Sequence, residues 1–171
     1  MKRAAFLLLL FWGCGVRAPS PFEVSASRTG SAIGGYRFGS VTPEYIAPGA
    51  LREMAQRKAA NMGTPTPTVP AGGVLLLHIS NTTIELANLE NWDFAVLDSK
   101  GKEVLRQKGK FNSPNLPGRY NRNWTNTAGV DIPIEISEGV TVQAFDKRMS
   151  ERWDFTIKPN KVEQVAAAVA K

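Results

Sequence analysis

A two-residue alternation of apolar side chains between Val74 and Lys110 limits the fold more than any other feature of the chain. Leu75, Leu77 and Ile79 alternate with Leu76, His78 and Ser80, and Trp92, Phe94 and Val96 alternate with Asp93, Ala95 and Leu97. Successive side chains of an extended backbone point to opposite sides, so a period of two puts each trio on one face of a β-strand. The aromatic and branched composition suits a pleated, half-buried surface. Between Leu97 and Val104 stands Asp98-Ser99-Lys100-Gly101-Lys102. Asp favours entry to a turn, and Gly takes the left-handed conformation that a short bulged hairpin needs. The stretch reads as three strands, the last two forming a hairpin.

The same period recurs elsewhere. Ile132, Ile134 and Ile136 alternate with Pro133 and Glu135, and Pro133 marks that strand as an edge or bulged one. Val140, Val142 and Ala144 alternate with Thr141, Gln143 and Phe145. Trp153, Phe155 and Ile157 alternate with Asp154, Thr156 and Lys158, and Pro159 ends the run. Ser137-Glu138-Gly139 and the polar stretch Asp146 to Glu151 supply turns. Upstream, Tyr36, Phe38 and Val41 mark a first strand that Pro43 would end. About seven strands separated by turn signals predict a mainly β fold, an antiparallel two-sheet sandwich.

One helix is inserted near the N-terminal side. Pro48 to Met62 starts with a proline suited to a first turn, and Leu51, Met54, Ala55 and Met62 fall near one face. Gly63 is the cap that closes it. Thr64 to Pro70 follows, with alternating prolines that cannot donate to a sheet, and reads as a linker or edge covering. Val162, Val165 and Val169 give residues 161–171 the spacing of a short terminal helix.

The N-terminus reads as an export leader. Met1-Lys2-Arg3 is basic, and Ala4 to Trp12 is an apolar run too short for a bilayer, which takes about 20 residues. The single cysteine, Cys14, follows Gly13 where that run ends. This resembles the lipobox of bacterial lipoproteins, in which a small residue precedes the cysteine that becomes lipidated. The resemblance implies a membrane anchor at Cys14. Cleavage after Val16-Arg17-Ala18, which has a small-x-small pattern, is one alternative, and an uncleaved anchor is another. With one cysteine there is no disulfide framework, so stability must come from the core. The expected organisation is a leader over residues 1–18, a Ser/Gly/Pro-rich tether over 19–35, the sandwich over 36–160 and the tail over 161–171. The pattern from Val74 to Pro159, with Trp92 in a central strand and the run DIPIEISEGVTVQAFD, resembles the immunoglobulin or fibronectin type III-like modules of exported bacterial proteins.

No catalytic or metal-binding signature is present. His78 is the only histidine and lies in an apolar strand, where a structural role is expected. Cys14 and His78 cannot supply a zinc site. Gly34-Gly35 and Gly72-Gly73 lack the spacing of phosphate loops. The expectation is a protein without cofactor or metal, and not an enzyme. The formal net charge of +6 permits attraction to anionic surfaces, while the export leader argues against nucleic acid.

Two stretches are candidate binding surfaces. Lys100, Lys102, Arg106, Lys108, Lys110, Arg119 and Arg122 are opposed only by Glu103. They read either as edge strands guarded against aggregation or as a patch for an anionic glycan, lipid headgroup or acidic partner. Tyr120, Arg122 and Trp124 lie among asparagines and could stack on and hydrogen-bond a sugar or peptide. Trp124 could equally plug the core beneath a loop. The expectation is a non-enzymatic envelope lipoprotein with a binding or assembly domain, facing the periplasm or the cell exterior. A carbohydrate- or adhesin-type recognition module is the alternative.

Overall fold

The computed structural model describes residues 21–29, 39–118 and 122–160. The leader with Cys14, Tyr36, Phe38, Arg119, Tyr120 and the tail over 161–171 lie outside the described residues. Eight strands, β1 (Phe22–Thr29), β2 (Gly39–Ile46), β3 (Val74–Asn81), β4 (Trp92–Leu97), β5 (Glu103–Lys108), β6 (Trp124–Asp131), β7 (Val140–Asp146) and β8 (Glu151–Pro159), form two antiparallel sheets. One sheet has the order β1-β8-β7-β4-β5 and the other β2-β3-β6. The chain crosses between them at β1–β2, β3–β4, β5–β6 and β6–β7, which makes a two-sheet β-sandwich.

The alternation in sequence is the alternation in burial. Leu75, Leu77 and Ile79 of β3 and Ala128 and Val130 of β6 face Trp92, Phe94 and Val96 of β4, Val140 and Val142 of β7, and Phe155 and Ile157 of β8. Burying each large side chain contributes about 1.5–3 kcal/mol. Trp92 also donates its indole N–H to the Leu86 carbonyl at 3.1 Å, so its polar edge is paired inside the core. Leu86 lies in α2 (Ile84–Ala87), a single helical turn on the β3–β4 crossing, which a 3-10 turn at Leu89–Asn91 follows.

The β4–β5 hairpin forms where expected. Asp98 Oδ1 accepts from the backbone N–H groups of Lys100 and Lys102, both at 2.9 Å, and Gly101 takes φ 78°. Helix α1 (Pro48–Met62) also has the expected bounds, with Gly63 left-handed at its C-terminus. Its packing is thin, since Ala59 is its one buried residue.

Three expectations are corrected. The tether over 19–35 is not all tether: Phe22–Thr29 is strand β1, paired residue for residue with β8. An edge strand is held mainly by backbone hydrogen bonds and needs few apolar side chains. Phe22 and Val24 supply them, and Phe22 meets Tyr45 edge-on with ring centroids 5.1 Å apart. Pro43 does not end the next strand, because β2 lies at a sheet edge, where a missing N–H is tolerated. The Ile132 to Ile136 run is not a strand. Ile132 exchanges two backbone hydrogen bonds with the Gly72-Gly73 turn, at 2.8 and 3.0 Å, and Ile134 and Ile136 pack on the core from a loop.

Candidate functional site

Each inward-facing residue of the five-stranded sheet leaves its neighbour on the outer face. Two cross-strand rows result. One runs Lys108, Asp93, Phe145, Arg152, Thr29, and the next runs Arg106, Ala95, Gln143, Asp154, Ser27. Phe145 is 40% exposed on this mostly polar face. Small Ala95 lies beside it, and the step between them helps form a shallow depression of about 170 Å³ with Arg106 at one side and Arg152 at the other.

The charged groups around the depression are held in place. Arg106 forks onto Glu103, with its Nε donating to Oε1 at 2.9 Å, and the guanidinium holds the Glu103 carboxyl below its ordinary pKa. Arg152 Nη2 lies 3.2 Å from Asp154 Oδ2, and Lys147 Nζ lies 3.3 Å from Asp93 Oδ1. Among the described residues, Asp154 Oδ1 is a buried side-chain oxygen with no hydrogen-bond partner. Both arginines remain about half exposed, so each can still donate N–H groups to a ligand.

The basic stretch is divided by the fold. Lys100 and Lys102 sit at the β4–β5 turn, at the α1 end of the sandwich, while Lys110, Arg122 and Trp124 lie at the opposite end. The six residues of β5 separate them by roughly 20 Å. Only Arg106 and Lys108 belong to the outer sheet face. Trp124 is half-buried at the start of β6, opposite Asn81, and Arg122 is exposed in the loop before it. Sequence reasoning missed Phe145, Gln143, Asp93 and Arg152 as a group. A signal did exist: with Val140, Val142 and Ala144 inward, Phe145 is an aromatic on the polar side of its strand.

His78 faces outward from the small sheet, with Nε2 3.0 Å from Glu44 Oε2 and Nδ1 3.2 Å from Thr127 Oγ1. Two further places carry chemistry or space. Asp146 and Glu151, both buried, close the β7–β8 hairpin as register partners. Burial pushes the Asp146 carboxyl up against the pull of the Arg148 and Met149 N–H groups, and the Glu151 charge adds to the push. The second is an apolar cleft of about 530 Å³ between α1 and the Pro-rich segment, lined by Leu51, Met54, Ala55, Val69, Pro70 and Val74. Among the described residues, no three His, Cys, Asp or Glu side chains cluster as a metal site would need. No protein-family model, no curated protein and no solved structure matches the chain.

Proposed function

We propose that the chain is a lipid-anchored protein of the bacterial cell envelope whose β-sandwich binds or assembles with other envelope components and performs no catalysis. The supporting observation is the short distance from Cys14 to the domain. Pro21 lies seven residues on, a reach of at most about 25 Å. The Pro21 carbonyl accepts from the Asn160 N–H at 2.7 Å, so the chain enters beside its last strand, at the end of the sandwich that carries α1. An anchor at Cys14 would hold that end near the bilayer and leave the Arg122–Trp124 end facing away. Replacing Cys14 with alanine and following palmitate labelling and membrane fractionation tests the anchor. The expected result is loss of both label and membrane association; unchanged labelling sinks the reading.

The alternative, a carbohydrate- or adhesin-type recognition module, is compatible with the same anchor. Phe145, exposed between Arg106 and Arg152, favours it. An exposed ring flanked by planar donors suits a ligand with one apolar face and polar edges.

A further inference from the structure

We propose that the outer face of the five-stranded sheet, between Arg106 and Arg152, binds a carboxylate-bearing oligosaccharide with one sugar ring lying over Phe145. The assignment rests on the reading of this domain as a binding module; it does not depend on the lipid anchor.

The ring comes first. Phe145 stands on a solvent-facing surface between polar Asp93 and Arg152, where the alternation of β7 calls for a polar side chain. A flat aromatic surface can cover the C–H face of a pyranose while leaving its hydroxyls to polar neighbours. Ala95 keeps the space beside it open, and Gln143 and Asp93 border that space with an amide and a carboxylate that suit hydroxyl groups.

The arginines give the charge preference. Glu103 engages the Nε and Nη2 edge of Arg106, and Asp154 engages Nη2 of Arg152. These pairs hold each guanidinium in position and leave the other N–H groups for a ligand. A planar donor fixed before binding loses less freedom when a carboxylate arrives. Lys108 lies in the Phe145 row and extends the positive charge along one side. An acidic peptide would share the charge preference, but the short depression around a flat ring favours a sugar.

The test titrates the full chain, in detergent micelles, with trigalacturonate and with its neutral methyl ester, by calorimetry and by side-chain NMR. The expected result is binding of the acid that is at least about tenfold tighter than of the ester, weakened about tenfold by Phe145→Ala and kept by Phe145→Tyr. Arg152→Gln should remove most of the acid-over-ester preference. Because Phe145 is exposed, its alanine variant should keep the wild-type circular dichroism spectrum. Undiminished binding by Phe145→Ala, equal binding of acid and ester, or tighter binding of a hexaglutamate peptide on the same residues would each overturn the assignment. Recovering cleaved sugar after the titration would instead overturn the binding-module reading, so the two failures are distinguishable.

Discussion

Arg28 and Glu151, 123 positions apart in sequence, form an ion pair that fastens β1 to the first residue of β8. The same guanidinium lies 4.5 Å over the Trp153 ring, so one side chain joins the edge strand to β8 by charge and by stacking. Glu151 is 7% exposed, and without Arg28 its carboxylate would be left without that counter-charge. Arg28→Ala is expected to cost about 2–3 kcal/mol in urea denaturation at neutral pH, at the lower edge for a broken buried pair because Arg28 is partly exposed. Arg28→Lys should cost less, since lysine keeps the charge and loses the planar stack. A loss below about 0.5 kcal/mol for the alanine variant would show the pair to be a surface contact.

Asp146 gives a prediction of opposite sign. Its folded-state pKa lies above the ordinary value of 3.8, chiefly because it is buried. The folded protein therefore binds this proton more tightly than the unfolded chain does. The corresponding stability is fully present below the ordinary value and is lost as pH rises through the raised one. At neutral pH the buried charge is a cost. Asp146→Asn keeps an oxygen to accept from the Arg148 and Met149 N–H groups, now 2.9 and 3.2 Å away, and removes the repulsion with Glu151. The variant should be more stable than wild type at pH 7, with the difference shrinking toward pH 3. A less stable variant at pH 7 would contradict this account.

Tyr45 should make the protein sensitive to alkali. Burial pushes its hydroxyl up to about 12, and that hydroxyl donates to the Gly72 carbonyl at 2.7 Å. An unfolded tyrosine loses its proton near pH 10 while the folded one retains it, so this stability is present below pH 10 and lost between 10 and about 12. Tyr45→Phe should cost about 1 kcal/mol at pH 7 by removing the hydrogen bond and should flatten the decline above pH 10. Chemical denaturation across pH 8–11 measures both effects.

Gly109 is a packing constraint. Its N–H donates to the Trp92 carbonyl at 2.8 Å, and a Cβ there would lie 1.8 Å from the Leu89 carbonyl oxygen. Backbone cannot yield as a flexible side chain can. Gly109→Ala should destabilise by about 2–4 kcal/mol through displacement of the 3-10 turn that leads into Trp92. Thermal melts compared with Gly118→Ala, where nothing lies within 4 Å of the added carbon, provide the control.

Much of the scaffold was legible in the chain alone. The period of two identified the buried faces of β3, β4, β7 and β8, and Asp98 with Gly101 located the hairpin. Pro48 and Gly63 bounded the helix. Each of these signals acts over a few residues, through backbone sterics or side-chain direction, and so survives in a one-dimensional reading. The same reading failed where long-range pairing outweighed local pattern. Phe22–Thr29 has the composition of a tether and becomes a strand because β8 offers a free edge. Ile132 to Ile136 has the pattern of a strand and becomes a loop because its backbone is committed to the Gly72-Gly73 turn. The basic residues are contiguous in sequence, but the length of β5 parts them between two ends and one face. Phe145 stood out on the polar side of its own strand, but its neighbours could not be read, since Arg106, Asp93, Phe145 and Arg152 come from four strands. Which residues meet across a sheet depends on strand order and register, and these are decided by the burial of the whole core at once.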